Sequence, residues 1–340
     1  MKFAGKPPLD EIADHGGSLS RADRLFPAAP KPWLDLSTGI NPHSYRFAEL
    51  TESAFRRLPE TAQLARLLNA ATRAYAAPAP RHLVAAPGTQ ILLPLVASLV
   101  PPGRAAILSP TYAEHRRAAA IAGHDAVAVS SFADLADADL AILVNPNNPD
   151  GRICSRAQLL KLAAQMRARN RLLIVDEAFM DVGPRDQSLA GDAETGGFVV
   201  LKSFGKFFGL AGIRLGFAIG TPEIVAALDA RMGPWAVSGP ALEIGIAALD
   251  DLGWQDEMRR HLADSARRLD ALLAQRDLAM QGGTDLYRFL RTKRAPEVFH
   301  GLGQQGILVR AFDDDATALR FGLPGSDADF ERLAQALALL

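Results

Sequence analysis

The sequence has one cysteine, no long apolar run and no excess of charge of either sign. Its 340 residues include 37 basic and 38 acidic side chains, which give a formal net charge of −1. A single cysteine excludes a disulfide within the chain and favours a reducing compartment, so we expect a cytoplasmic protein. The longest apolar run, at positions 91–100, is interrupted by Pro94. A bilayer-spanning helix needs about 20 apolar residues, so we expect no membrane segment.

Several motifs that identify nucleotide and nucleic-acid proteins are also missing. No Gly-x-Gly-x-x-Gly follows the first predicted strand, and no Gly-x-x-x-x-Gly-Lys-Ser/Thr is present. Acidic and basic residues are interspersed, so no basic stripe suits a nucleic acid. No secretory signal is expected within the first ten residues, which lack an apolar stretch. We therefore expect a small-molecule substrate, with no metal, membrane or nucleic-acid partner.

Short apolar strands alternate with helices from about residue 80 to 220. The predicted strands contain HLVAA, RAAIL, DAVAV, LAILV, RLLIVD, FVVLKS and LGFAIG. Apolar strands without a polar face, separated by helices, predict an α/β fold with a mostly parallel seven-stranded sheet between helices. After residue 221, strands and helices mix differently and predict a smaller α+β domain. The expected boundaries are an irregular N-terminal arm at 1–44, a large domain at 45–225 and a small domain at 226–340.

Lys206 lies in the segment LKSFGKFFGLAGIR. A lone lysine is most often a solvated surface charge. Phenylalanines on both sides would lower the pKa of this amine and make it a usable nucleophile for a Schiff base. Ser203 and Arg214 flank it and offer the hydroxyl and guanidinium that suit a phosphate. The apolar sequence GIRLGF favours a buried, partnered arginine over a surface ion pair.

Other polar residues follow predicted strands, at the sheet edge where α/β proteins bind ligands. Asp176 ends the strand RLLIVD and could pair with a pyridinium nitrogen or cap a helix. Glu177 beside it could be structural. Asn148 lies in the turn NPNNPDG, which could be only a turn or could donate an amide hydrogen bond. Gly88, Thr89 and Gln90 open one predicted helix and could form a backbone anion site or only a turn. Tyr112 opens the next predicted helix and could offer a ring for stacking or pack in the core.

The order and spacing of these residues resemble those of the fold-type I aminotransferases, which bind pyridoxal 5'-phosphate (PLP). The resemblance covers nearly the whole chain and implies a homodimer. It implies that Lys206 forms the Schiff base, Asp176 pairs with the ring nitrogen and Asn148 bonds the ring oxygen. It implies a stacking role for Tyr112 and phosphate contacts for Gly88, Thr89, Gln90, Ser203 and Arg214. Arg320 would hold the substrate α-carboxylate, for which a bidentate guanidinium is suited.

The chain departs from this family pattern at two positions. Phe179 stands where many relatives have a tyrosine that bonds the ring oxygen. Leu58 precedes Pro59 where many relatives have a tyrosine that reaches the partner subunit's phosphate. The first change removes one hydrogen-bond donor from the expected site, and the second leaves the intersubunit contact unassigned.

The N-terminal arm separates branches within the family. HGGSLSRADRLF followed by LDLSTGINPHSY resembles the branch that decarboxylates L-threonine O-3-phosphate in cobalamin biosynthesis, which is similar to the histidinol-phosphate aminotransferases. The expected substrate-binding residues are His15, Gly16, Gly17, Thr38, Gly39, Ile40, Asn148, Arg310 and Arg320. His15 could instead cap a helix, and Arg310 could pair with Asp313 or Asp314.

Two alternatives remain open from sequence. If the Cα–H bond, not the carboxylate, stands perpendicular to the cofactor ring, the enzyme is a histidinol-phosphate or another amino-acid aminotransferase. A non-catalytic PLP-fold binding module is the alternative of another class, although no helix-turn-helix segment is apparent. Decarboxylation of threonine phosphate to (R)-1-amino-2-propanol O-2-phosphate is the hypothesis that the arm favours.

Overall fold

The computed structural model describes residues 15–340, which divide into two units by their internal contacts. The larger unit contains residues 40–264 and 283–286, and the smaller contains residues 15–39, 265–282 and 287–340. Strands and helices are numbered separately in chain order below. Helix α10, Leu252–Ala274, runs from the larger unit into the smaller one.

A seven-stranded sheet organises the larger unit, in the order β2-β8-β7-β6-β5-β3-β4. Strand β8 is antiparallel to both β7 and β2, and the remaining pairs are parallel. This confirms the predicted mostly parallel α/β sheet. The strands are β2 Leu83–Ala86, β3 Arg104–Leu108, β4 Asp125–Val129, β5 Leu140–Val144, β6 Leu172–Asp176, β7 Phe198–Ser203 and β8 Gly216–Ile219.

Both the burial of these strands and the helix ends follow from local sequence. Every residue of β2, β5, β6, β7 and β8 is buried, as expected for apolar strands covered on both faces. Ser155 and Gln158 form a capping box at the start of α6, which satisfies backbone donors there. The helices of this unit before α10 are α2 Glu52–Arg56, α3 Thr61–Tyr75, α4 Thr89–Ala97, α5 Glu114–Ile121, α6 Arg156–Ala168, α7 Phe204–Phe207, α8 Pro222–Met232 and α9 Gly239–Asp250.

The smaller unit contains a second sheet, in the order β1-β11-β12-β10-β9. Its strands are β1 Leu34–Leu36, β10 Tyr287–Arg291, β11 Ile307–Phe312, β12 Asp315–Gly322 and β9 Gly282–Thr284, of which only Gly282 is assigned to the smaller unit. Its helices are α1 Leu19–Leu25, α11 Ala295–Gln304 and α12 Asp327–Leu337. The sequence predicts an irregular arm up to residue 44, whereas the structure has α1 and β1 there. Strand β1 pairs in parallel with β11, which is far away in sequence, so the local sequence pattern does not predict β1.

Two kinds of feature are missing from residues 15–340. No helix in this range combines the length and apolar character needed to cross a bilayer. The same residues contain no group of three or more histidine, cysteine, aspartate or glutamate side chains able to hold a metal ion.

Candidate active site

Lys206 lies in the short helix α7, directly after the carboxyl end of β7. The turn at Asn41 forms hydrogen bonds to the backbone of this helix. The backbone N–H of Asn41 donates to the Lys206 carbonyl (3.0 Å), and its side-chain amide donates to the Phe207 carbonyl (2.8 Å). The Lys206 ammonium lies 6.0 Å from the centre of the Phe179 ring. Lys206 is half-buried. The backbone of its helix is fixed by the two hydrogen bonds from Asn41.

Phenylalanine rings surround the lysine helix. Phe204, Phe207 and Phe208 are each at most 1% exposed. Phe204 and Phe208 stack with their ring centres 4.4 Å apart. These neighbours form the apolar setting that the sequence FGKFF suggests for a nucleophilic amine.

Asp176 ends β6 and is 6% exposed. One carboxylate oxygen lies 2.9 Å from Nε2 of the buried His115, and the other accepts from the Ala178 backbone N–H at 3.0 Å. Sequence reasoning missed His115. The available signal was its position three residues after Tyr112, because residues three apart in a helical turn share a face. Their rings meet edge to face, 5.9 Å apart.

Glu177 points away from Asp176, as alternate residues of a strand do. It is fully buried and lies 2.7 Å from the Lys202 ammonium. It also accepts hydrogen bonds from Ser188 Oγ (2.5 Å) and the Leu189 backbone N–H (2.8 Å). Glu177, directly after β6, therefore contacts both β7 and the turn at 188–189, which indicates a structural role.

The turn at Gly88 forms a cradle at the N-terminus of α4. Gly88 has φ +88°, and a methyl group in place of its hydrogen would lie 2.5 Å from Arg214 Nη2. Only glycine combines that backbone conformation with so close an approach. A helix N-terminus beside a guanidinium attracts an anion, since the helix dipole and the arginine charge have the same sign there. This cradle fits a phosphate group.

Arg214 is exposed, which corrects the expectation of a buried arginine. Its backbone is left-handed (φ 54°), and this conformation turns the side chain out of the apolar segment whose next residue, Leu215, is buried. The guanidinium donates to the Ala211 carbonyl at 3.2 Å. Its exposure leaves it accessible to a ligand.

Tyr112 and Gln90 are joined beside this cradle. The Tyr112 hydroxyl donates to Gln90 Oε1 (3.2 Å), and the Gln90 amide donates to Glu114 (2.7 Å). Burial, followed by the Glu114 and Asp176 carboxylates, raises the pKa of Tyr112 to about 12, against an opposing effect of Arg214. Tyr112 is therefore a neutral ring close to the charges of both Asp176 and Arg214.

The turn carrying Asn148 is fixed by the two asparagines before it. The Asn145 side chain exchanges hydrogen bonds with the Cys154 backbone (3.1 and 2.8 Å). Asn147 donates to the Pro110 carbonyl (3.0 Å) and accepts from Thr111 (2.7 Å). Asn148 lies in this turn, which directly follows β5, and is half-buried. Beside it on the sheet are β6, which ends at Asp176, and then β7, which leads to Lys206.

The smaller unit contains the arm residues His15, Gly16 and Gly17. The Gly17 backbone N–H donates to Ser37 Oγ (2.7 Å), and a methyl group at Gly16 would lie 2.1 Å from the Ser37 carbonyl. The HGG segment thus packs directly on the segment that contains Thr38 and Gly39. Ile40, the next residue along the chain, is half-buried and begins the larger unit.

Two arginines face each other in the sheet of this smaller unit. Arg310 on β11 is the register partner of Arg320 on β12, and Arg320 donates to the Ser37 carbonyl at 2.8 Å. Arg320 is 7% exposed, and its guanidinium lies 5.1 Å from the Tyr287 ring centre. Burial is the main cause that lowers the pKa of Arg320 to about 10. Arg320 therefore remains charged at neutral pH, and together with Arg310 it favours an anion near Ser37.

The two departures from the family pattern lie in different surroundings. Phe179 is 4% exposed, next to the Lys206 ammonium, and it offers a ring face in place of a hydroxyl. Leu58 is 64% exposed on the larger unit.

Comparison with known proteins assigns the family. The model of aminotransferase class I and II matches residues 53–337. The threonine-phosphate decarboxylase of Pseudomonas aeruginosa is 39% identical over 331 residues (96% of this chain, 97% of that one), and that of a Sinorhizobium species is 41% identical over 330 (95% and 97%). The structure of histidinol-phosphate aminotransferase from Sinorhizobium meliloti in complex with PLP shares the fold, with a TM-score of 0.78, 20% identity and coverage of 99% and 97%. The chain therefore belongs to the class I and II aminotransferase family.

Proposed function

We propose that this protein decarboxylates L-threonine O-3-phosphate to (R)-1-amino-2-propanol O-2-phosphate, with PLP as cofactor, in cobalamin biosynthesis. The observation that carries the proposal is the identity of 39% and 41% to two threonine-phosphate decarboxylases over at least 95% of the chain. The HGG and STGINP segments of the sequence suggest the same branch of the family.

The larger unit offers a partner for each part of PLP. Lys206 would bind its aldehyde carbon, Asp176 its ring nitrogen, Asn148 its ring oxygen and Tyr112 its ring face. The phosphate would bind at the Gly88 cradle, with Thr89, Gln90, Ser203 and Arg214. When bound, PLP acts as an electron sink for the bond that breaks at the substrate α-carbon. His115 Nε2 lies 2.9 Å from the Asp176 carboxylate and would hold it in place for the ring nitrogen.

The smaller unit offers cationic and backbone groups for the two anions of the substrate. We assign the α-carboxylate to Arg320. We assign the substrate phosphate to Arg310, with the arm residues His15, Gly16, Gly17, Thr38, Gly39 and Ile40. After CO₂ leaves, the ammonium of Lys206 would return a proton to the α-carbon. Lys206 is the proton carrier in this proposal because it is the residue expected next to that carbon.

We further propose that the protein acts as a cytoplasmic homodimer. Several large apolar side chains are exposed on the larger unit, among them Phe55 at 68%, Ile121 at 66%, Leu58 at 64% and Trp235 at 58%. Contact with a second copy would remove this apolar surface from water, which is favourable. Light scattering of the purified protein should give twice the mass of 36.4 kDa.

The test of the function is CO₂ release from L-threonine O-3-phosphate with no keto acid present. We expect the PLP-loaded protein to release CO₂ and aminopropanol phosphate in equal amounts, and the Lys206→Ala variant to release neither. Threonine without the phosphate should react poorly, because Arg310 and the arm then have no anion to bind. Absence of CO₂ from a PLP-loaded, folded protein would exclude the proposed reaction.

A second candidate is a histidinol-phosphate aminotransferase, because the Sinorhizobium meliloti enzyme of that name shares the fold. This reaction would convert PLP to its amine form when histidinol phosphate or glutamate is added, without CO₂. The same sample, followed by its visible absorbance, distinguishes the two reactions. A sample that binds PLP but transforms none of these compounds would favour a non-catalytic binding module.

A further inference from the structure

The first turns of helix α10 pack against the short helix that carries Lys206. The ring of Trp254 stacks on Phe208, with centres 5.7 Å apart and planes inclined by 12°. It also meets Phe207 at 5.5 Å. Two phenylalanines that follow Lys206 in sequence are therefore covered by α10, so the position of this helix bears on the position of the lysine.

Arg259, one and a half turns further along α10, contacts the same helix through its charge. Its guanidinium carbon lies 5.0 Å from the centre of the Phe207 ring, in a cation–π contact. Its Nε donates to the backbone carbonyl of Asp181 at 2.8 Å. Asp256 accepts from Nη1 at 2.7 Å and Gln255 from Nη2 at 3.3 Å, so the planar group is fixed on its own helix.

These contacts join the two segments that define the surroundings of the Lys206 amine. Phe207 is the residue after Lys206, and Asp181 follows two residues after Phe179. The Lys206 ammonium lies 6.0 Å from the Phe179 ring. Arg259 therefore links the segment that carries the amine to the segment that carries the ring beside it.

We propose that Arg259 is a positioning residue for Lys206: it holds the α7 helix and the Phe179–Asp181 turn in one fixed arrangement. The inference rests on the proposed function only for the role of Lys206. Arg259 touches neither substrate nor cofactor in this proposal and acts through Phe207 and Asp181. A guanidinium is suited to the task because it can stack on a ring and donate in its plane at the same time, which a lysine ammonium does not do.

The buried charges around the turn add an electrostatic consequence. Asp181 is buried, and its burial raises the pKa of its carboxyl, while Lys202, Arg259 and Arg185 lower it and Glu177 raises it. Loss of the Arg259 charge would therefore raise the pKa of Asp181 further. A carboxyl that takes up a proton in the turn after Phe179 would alter the field at the Lys206 amine.

The experiment compares Arg259→Met, Arg259→Lys and the control Arg260→Met, all loaded with PLP. Arg260 is the adjacent, exposed arginine, and its Nε donates only to the Asp256 carbonyl of its own helix in the described contacts. The first readout is the midpoint of the pH titration of the cofactor's visible absorbance, which reports the proton on the Lys206 nitrogen. The second is kcat and KM for CO₂ release from threonine phosphate.

We expect Arg259→Met to shift the titration midpoint and to lower kcat about tenfold or more, the scale for loss of a charge-assisted hydrogen bond, with little change in KM. Arg259→Lys should recover part of the loss, and Arg260→Met should match the native protein. A second variant, Phe207→Leu, keeps the Asp181 hydrogen bond but removes the ring, and it should shift the midpoint in the same direction.

An unchanged titration midpoint in both Arg259→Met and Phe207→Leu would overturn the proposal. If Arg259→Met does not fold, the Phe207→Leu midpoint alone decides. A native protein that shows the titration but releases no CO₂ would refute the proposed reaction and leave the positioning role to be judged from the midpoint shift.

Discussion

Replacement of His115 by leucine tests the contact that sequence reasoning missed. Asp176 is 6% exposed, and one of its oxygens lies 2.9 Å from His115 Nε2. Leucine fills a similar volume but offers no donor, so that oxygen is left buried and unpaired. Loss of a hydrogen bond to a charged group costs about 1.5–3 kcal/mol. Because about 1.4 kcal/mol corresponds to a factor of ten, we expect PLP affinity to fall roughly 10- to 100-fold.

The physical reason is that only the ionised carboxylate can pair with a protonated ring nitrogen. Without the histidine, the Asp176 carboxylate loses the contact that holds this oxygen. Titration of the apoprotein with PLP, followed by visible absorbance, measures the affinity. His115→Gln should recover part of it, because the glutamine amide can place a donor near the same oxygen.

The matched control is His124→Leu. His124 is also buried and hydrogen-bonded, to the Ala97 carbonyl (2.9 Å) and the Gly103 backbone N–H (3.2 Å). Its loss should lower thermal stability but leave PLP affinity unchanged. Equal PLP affinity in the His115→Leu and His124→Leu proteins would refute the reasoning that His115 acts through Asp176.

Three further predictions follow from the contacts above. Gly88→Ala should weaken PLP binding at least tenfold with the fold intact, since the new methyl would meet Arg214 Nη2 at 2.5 Å; unchanged affinity in the PLP titration would contradict the cradle. Lys202→Met should lower the free energy of unfolding by about 3–5 kcal/mol, because it leaves the fully buried Glu177 carboxylate without its cation; urea unfolding measures this, and Lys202→Met/Glu177→Leu should recover much of the loss. Burial raises the pKa of Asp181, so its contribution to stability is present below the unfolded pKa of about 3.9 and is lost as the pH rises through the folded pKa. The Tm of Asp181→Asn should therefore rise relative to the Tm of the native protein as the pH increases above about 4. A difference between the two Tm values that stays constant with pH would argue against the raised pKa.

The sheet of the larger unit could be predicted because its signal is local. Apolar segments such as LAILV, bounded by polar turns, fix the strands, and the parallel connections bring the ends of β5, β6 and β7 to one edge. Asp176 ends β6, and Asn148 and Lys206 follow β5 and β7, so their shared edge could be predicted from the pattern. His115 lay outside that reasoning because it sits in a helix and not at the end of a strand, and its one signal was its spacing from Tyr112.

Features that depend on distant pairs of residues could not be predicted in this way. Strand β1 has three residues, and its alignment with β11 is set by chain segments about 270 positions apart. Arg214 was expected to be buried because its neighbours are apolar, but its left-handed backbone, which sequence does not reveal, turns it outward. A non-glycine residue in that conformation is strained, and such strain is often retained where function uses it.

The arm shows how a sequence motif acquires a physical meaning only through such distant contacts. Gly16 and Gly17 are expected from the sequence to bind the substrate, and in the structure a methyl group at Gly16 would lie 2.1 Å from the Ser37 carbonyl. That same carbonyl accepts from Arg320, which pairs in register with Arg310. Gly16→Ala must therefore displace Ser37 and, through it, Arg320. If the arm and the arginine pair serve one substrate, this substitution should raise KM for threonine phosphate and leave the PLP titration unchanged, whereas an unaltered KM would separate the arm from the substrate site.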